Sequence, residues 1–348
     1  MPPVEEYGEY IRRIWANGQI TNQGPLLQEF DTKVKDHLGV EYFHFVTNGT
    51  LALQIALRAL DINDGEIITT PFSYVATVSS ILWERCTPVF VDIEPETFCI
   101  DVNKIEEAIT SKTKAILGVH VFGNPCDVEA IQSLAAKHHL KVIYDGAHAF
   151  GVTYRGKSLL GYGDISTCSF HATKLFHTIE GGAVIVNRKE LSDKVDLIKQ
   201  FGHKGDEHFM LGINAKASEV QAAMGLCNLK YVDEIIKARK IASNLYTELL
   251  GDSVRIPISR EGVDYNYAYY PVLFKTEEQL IKKIKRLNEA NIYPRRYFYP
   301  SLNKLSYLQE IQSCPVSEDI ASRVACLPLY VGLSNEIIEK IARIVNEK

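Results

Sequence analysis

The sequence predicts an α/β fold: a mostly parallel, mixed sheet between layers of helices, followed by a smaller C-terminal α+β domain. Three observations predict it. From residue 49 to about residue 200, helical and strand-like patterns alternate, as they do in βαβ units. The strand-like segments "KAILGVHV" (114–121) and "LKVIYD" (140–145) are continuous apolar runs, which suits strands covered on both faces. Toward the C-terminus the character changes, and tyrosines gather at 265, 267, 269, 270, 293, 297 and 299.

Each element has its own local reason. "GTLALQIALRAL" (49–60) is apolar nearly all round and reads as a helix buried between layers. "EIITT" (66–70) is a β-branched strand, a helix is expected at 74–84, and "PVFVDI" (88–93) is the next strand. "DVNKIEEAI" (101–109) opens with Asp101 as a cap and reads as a surface helix. After the strand 114–121, Asp127 caps a helix running to about 138, and the strand 140–145 follows. "ISTCSF" (165–170) and "AVIVN" (183–187) are two short strands, with a helix at 189–200. "ASEVQAAMGLCNLKYVDEIIKARKIASNLYTELL" (217–250) reads as a long helix, broken once, that leads out of the first domain. Beyond it, "YAYYPVLF" (267–274) is a strand, and "TEEQLIKKIKRLNEAN" (276–291) and "EIIEKIARIVNEK" (336–348) are helices. The expected division is a large domain at 1–235, with a helical N-terminal segment, and a small domain at 236–348.

Composition narrows the function. The chain has 348 residues, 46% hydrophobic and 23% charged, which is a folded protein with room for a large core. A net charge of −5 without blocks of like charge, and without a basic helix-turn-helix face, argues against a nucleic-acid partner. The seven cysteines are odd in number and form no C-x-x-C pair. Neither a disulfide framework nor a metal site is expected, and a reducing compartment fits. "MPPVEEYGEY" carries no signal-peptide pattern, and no apolar stretch is long enough to span a bilayer. The expectation is a cytoplasmic protein without a membrane partner.

Open α/β sheets bind ligands beyond the carboxyl ends of their strands, and three features fall there. In "TNGTLAL" (47–53), Asn48, Gly49 and Thr50 stand where a strand hands over to the buried helix. A helix N-terminus with a glycine and a hydroxyl is a ready anion site; the plain alternative is an ordinary N-cap. In "VIYDGAHAFG" (142–151), Asp145 ends an apolar strand. A buried carboxylate needs a cation or a donor, such as a protonated heteroaromatic nitrogen, unless it serves only as a helix cap. His148 can turn into the same crevice or be a core histidine satisfied by backbone. In "CSFHATKLFHTIEGG" (168–182), Ser169 ends a strand and Lys174 lies in the loop beyond, before Gly181 and Gly182. A lysine amine in a dry pocket sheds its proton and can form a Schiff base; alternatively it is a solvated surface charge. One ligand uses all three features: an aldehyde carrying a phosphate and a pyridine ring. Its phosphate takes Gly49, Thr50 and Ser169, its ring nitrogen takes Asp145, and its aldehyde takes Lys174. That cofactor is pyridoxal 5′-phosphate (PLP).

The motifs "TNGTLALQIAL", "TTPFSYVAT", "PVFVDI", "DGAHAFG", "SFHATK" with "EGG", "GINAKASEVQAAMG" and "LPLY" run in order along nearly the whole chain. As a set they resemble the DegT/DnrJ/EryC1/StrS sugar aminotransferases. The resemblance implies the PLP-dependent transferase fold type I and a homodimer with active sites shared between chains. It implies that Tyr74 stacks on the cofactor ring, that His148 lies beside the ring hydroxyl, and that Asn214 reaches the phosphate held by the neighbouring subunit. Lys216 stands where an arginine is frequent, at a substrate-phosphate contact. Tyr144 and Gly146 stand where the family more often has Glu and Ala or Cys. The chain also starts later before "PPVEEY" than the family pattern, which implies a truncated start.

A branch that dehydrates sugars has histidine in place of the lysine; Lys174 favours transamination. The implied reaction is ping-pong. L-glutamate gives its amino group, and a nucleotide-linked keto-sugar receives it, with Lys174 moving the proton and Asp145 holding the ring nitrogen protonated. In "IYPRRYFYPSL" (292–302), Arg295 and Arg296 could pair with a diphosphate and Tyr297 could stack on a base or sugar. The plain alternative is a surface arginine pair among core aromatics. The nearest branch by resemblance aminates dTDP-4-keto-6-deoxy-glucose to dTDP-4-amino-4,6-dideoxy-glucose. A 3-keto-sugar aminotransferase, a PLP-dependent dehydratase and a non-catalytic regulator are the rival expectations.

Overall fold

The computed structural model describes residues 1–308, 310 and 312–347. Strands β1 (Tyr42–Val46), β2 (Glu66–Thr69), β3 (Thr87–Phe90), β4 (Thr113–Val119) and β5 (Lys141–Asp145) come first. A short ribbon, β6 (Thr153–Tyr154) and β7 (Lys157–Ser158), precedes β8 (Ile165–Ser169) and β9 (Gly182–Val186). Without the ribbon, these strands form one seven-stranded sheet in the order β1-β9-β8-β5-β4-β2-β3. Strands β8, β5, β4, β2 and β3 are parallel, and β9 runs against both β8 and β1. Every residue of β9 is buried, as are those of β4 apart from Lys114. This is why these strands read as unbroken apolar runs rather than alternating ones.

Helices α1 (Val4–Asn17) and α2 (Pro25–Leu38) precede the sheet, and α3 (Gly49–Ala59) follows β1. α3 lies against β8 and β9 on one side and against α4 (Ala76–Trp83) on another. It buries Ala52, Leu53, Ile55, Ala56 and Leu57, the reason for its all-round apolar surface. α5 (Val128–His138) is capped by Asp127, which accepts from the Ala130 N–H at 3.1 Å. α6 (Lys189–Ile198) follows β9, and the hairpin β10 (His203–Lys204)–β11 (Glu207–His208) comes next. The expected long helix breaks at Lys230–Tyr231 into α7 (Glu219–Leu229) and α8 (Val232–Leu250).

Two expectations change. Residues 101–109 are not an α-helix but two 3₁₀ turns, Val102–Lys104 and Glu106–Ala108. Asp101 does cap, accepting from Asn103 N–H at 3.1 Å. The two turns meet at Ile105, which is fully buried and anchors the segment. The strand expected at 88–93 stops at Phe90, because the buried Asp92 turns its carboxylate to the N–H groups of Val316 and Ser317, both at 2.9 Å.

The C-terminal part pairs β13 (Tyr270–Leu273) with β14 (Val324–Leu327), antiparallel; β12 (Val263–Asp264) before it joins β6. Helices α8, α9 (Glu277–Glu289) and α11 (Asn335–Asn346) cover this pair, and α10 (Pro315–Arg323) leads into β14. The C-terminal core gathers Tyr246, Val272, Phe274, Leu280, Leu287 and Ile338. Lys348, the last residue of the expected terminal helix, lies outside the described residues. Helix α8 crosses position 235, and its residues from Ala242 onward pack into this smaller core, whereas Ile235 and Ile236 pack on the larger one. Among the described residues no helix is long and apolar enough to cross a membrane, and no His, Cys, Asp and Glu cluster could hold a metal ion.

Candidate active site

A cavity of about 210 Å³ opens at the carboxyl ends of β4, β5 and β8. Asp145, Lys174, Ser169 and the start of α3 all line it. At its floor Asp145 is buried and its two oxygens are held from different elements. Oδ1 accepts from the Ala147 N–H at 3.0 Å, and Oδ2 from the Thr77 hydroxyl of α4 at 2.9 Å. Burial pushes the Asp145 carboxyl above its ordinary range, against the pull of those two donors and of Lys174. Such a carboxylate gains from a cation.

Lys174 sits in the loop between β8 and β9, its backbone N–H bonded to the His171 carbonyl at 2.9 Å. Burial lowers its pKa below the ordinary lysine value, and the Arg295 charge adds to this; Asp145 and Cys168 oppose it. Among the described residues its Nζ has neither a hydrogen-bond nor an ion-pair partner. The amine is therefore held near a buried acid, partly stripped of water and available for reaction.

The anion cradle is formed by close backbone packing. Asn48 caps α3 by accepting from the Leu51 N–H at 2.9 Å. A β-carbon on Gly49 would lie 2.9 Å from Cβ of Ser169, and one on Gly182 would lie 2.5 Å from the carbonyl carbon of Asn48. Glycine at both places lets β9 and the end of β8 close on the first turn of α3, where Asn48, Gly49 and Thr50 line the cavity beside Ser169.

His148 is buried and held neutral by burial and by the Lys174 charge. Its Nδ1 accepts from the Phe122 N–H at 3.2 Å, which leaves Nε2 carrying the proton. Its ring lies parallel to Phe298, with centroids 5.6 Å apart. Tyr74 is 54% exposed at the cavity mouth, its ring 6.2 Å from that of Tyr297. Arg295 lies over the Tyr297 ring at 5.2 Å, and burial raises the Tyr297 phenol to about 12.

Not every residue singled out in the sequence comes to this cavity. Arg296 points away, paired with Glu277 at 2.7 Å and the Ser322 carbonyl at 2.6 Å and stacked on Tyr299. The pairing of Arg295 with Arg296 on one diphosphate is thereby corrected: neighbours along an extended segment face opposite ways. Asn214 and Lys216 do not line the cavity of their own chain. They bond to each other at 2.8 Å, with Lys216 over the Phe201 ring. Thr77 and Ser73 line or support the floor and went unremarked in the sequence. Their signal was the four-residue spacing of hydroxyls within "FSYVAT", which places both on one side of a helical turn.

The residues fit PLP on geometry alone: a glycine-lined helix start, a buried carboxylate awaiting a cation, and an unpartnered lysine amine around one cavity. The DegT/DnrJ/EryC1/StrS aminotransferase family pattern matches residues 4–346. The chain belongs to this family. It is 44% identical, over all of its own length and 96% of the relative's, to a dTDP-4-amino-4,6-dideoxy-D-glucose transaminase of Shigella dysenteriae. It is 36% identical to a GDP-perosamine synthase of Escherichia coli O157:H7, over 97% of this chain and 94% of that one. Among solved structures, DesI in the presence of its TDP-sugar product superposes with a TM-score of 0.94 at 29% identity, covering 99% of this chain and 90% of the other. The protein is a PLP-dependent aminotransferase with the type I fold of that cofactor class.

Proposed function

We propose that this aminotransferase moves an amino group from L-glutamate to C4 of dTDP-4-keto-6-deoxy-glucose, giving dTDP-4-amino-4,6-dideoxy-glucose. The observation that carries the reading is the free Lys174 amine beside the buried Asp145 at the end of β5, in a chain similar over its full length to transaminases named for that sugar.

PLP, when bound, supplies an electron sink for the carbon that gains or loses the amino group. The chain supplies the rest. The α3 N-terminus with Gly49, Thr50 and Ser169 holds the phosphate, and Asn48 fixes the turn. Asp145 holds a proton on the ring nitrogen. The His148 Nε2–H donates toward the ring hydroxyl, and Tyr74 stacks over the ring. Lys174 Nζ would take the proton from the substrate carbon as base and deliver it to the cofactor carbon as acid, and the reverse in the second half of the cycle.

Arg295, the cavity-lining arginine without an acid partner among the described residues, meets the negatively charged part of the substrate, with Tyr297 packing beside it. Asn214 and Lys216 serve the site of a second copy in a homodimer. The division of the chain at 235/236 is part of the same reading, and lets the small domain present Arg295 and Tyr297 to the large-domain site.

The test is product mass and NMR after incubation with L-glutamate and a panel of dTDP-, UDP- and GDP-linked keto-sugars. Amination at C4 of the dTDP sugar is expected; turnover of only a 3-keto-sugar, or of no keto-sugar, overturns it.

A further inference from the structure

We propose that Thr77 is the positioning residue of Asp145, the end of a two-hydroxyl relay that starts at Ser73 on the cavity wall. The Ser73 Oγ lies 2.7 Å from the Thr77 Oγ1, which lies 2.9 Å from Asp145 Oδ2. All three side chains are buried, with Thr77 fully so. An ionised carboxylate only accepts, so the Thr77 proton is committed to Asp145. The proton between the two hydroxyls must then come from Ser73, which shows only acceptor lone pairs to the cavity. With the Ala147 N–H on Oδ1, the carboxylate is gripped from α4 on one side and from its own strand end on the other. It cannot rotate without losing a bond, yet each oxygen keeps a lone pair for a ring N–H.

Loss of the Thr77 donor leaves burial less opposed, so the charged form of Asp145 is weakened. Lys174 is the other titratable group acting on Asp145, and the Asp145 charge in turn acts on Cys168 of β8 and on Tyr297. All three stay in place when Thr77 alone is changed.

This inference rests on Asp145 serving the ring nitrogen, and its test separates the two. In cofactor-free protein labelled with ¹³C-aspartate, the Asp145 carboxyl signal is identified by its loss in Asp145→Asn and titrated. Thr77→Val is expected to move its midpoint up by about one pH unit or more, and Thr77→Ser to restore it. In loaded enzyme, Thr77→Val is expected to lower kcat with little change in KM and to shift the acidic limb of the kcat profile upward. An unchanged Asp145 midpoint in folded Thr77→Val overturns the relay; if that variant fails to fold, Thr77→Ala is read the same way. Full activity in Asp145→Asn would instead remove the role given to Asp145, whatever Thr77 does.

Discussion

Gly182 and Asn48 meet backbone to backbone: a β-carbon on Gly182 would lie 2.5 Å from both the carbonyl carbon and oxygen of Asn48 and 2.7 Å from the Gly49 nitrogen. A central strand thereby presses on the turn that opens α3, and the helix start is fixed where it can receive an anion.

Gly182→Ala must push the strand off that turn. The fold should survive, because the rest of β9 is buried by its neighbours. PLP affinity should fall by about tenfold, the equivalent of ~1.4 kcal/mol. Fluorescence titration of the cofactor-free protein checks this, with far-UV circular dichroism as the control.

Glu219 tests the packing that carries the site. It is fully buried, and its two oxygens accept from the N–H groups of Leu26 and Leu27, at 2.9 and 2.7 Å. It thus caps α2 from the start of α7. Glu219→Ala leaves two buried donors unpaired and should destabilise the protein by about 2–4 kcal/mol. Urea denaturation measures it.

The two arginines of "PRRY" should separate in kinetics. Arg295→Gln is expected to raise KM for the nucleotide sugar about tenfold or more. Arg296→Gln should leave KM nearly unchanged and lower stability instead, since its partners are Glu277 and the Ser322 carbonyl. Steady-state kinetics with parallel denaturation curves distinguish them.

Lys174 gives a pH dependence of stability in the cofactor-free protein. Its folded value lies below the ordinary lysine value. Between the two, the unfolded chain holds a proton that the folded chain does not, so stability rises with pH through that window. Lys174→Met should lack this rise. Denaturation at a series of pH values for both proteins reads the difference directly.

Much of this was legible in the sequence, for physical reasons. The strands β4 and β5 are unbroken apolar runs because they are covered on both faces, and Asp145 stood out because a charge cannot end such a run unpaired. Lys174 stood out for the glycine pair beyond it. Direction was harder to read. Nothing in "PRRY" says that Arg295 turns inward and Arg296 toward Glu277, since that depends on α9, reached through the fold rather than the chain. The surface helix expected at 101–109 gives way to two 3₁₀ turns that meet at the buried Ile105, an anchor set by the fold rather than by the local cap of Asp101. Thr77 was hidden because a hydroxyl in a helix is ordinary until the fold sets a carboxylate 68 residues away beside it.

The central claim is a covalent one, that the amine of Lys174 carries the cofactor's aldehyde. Borohydride reduction of the PLP-loaded enzyme, followed by proteolysis and mass spectrometry, tests it most directly. The account predicts the phosphopyridoxyl mass on the peptide containing Lys174 and on no other in stoichiometric yield. The same mass on a different lysine, with Lys174 unmodified, would contradict it.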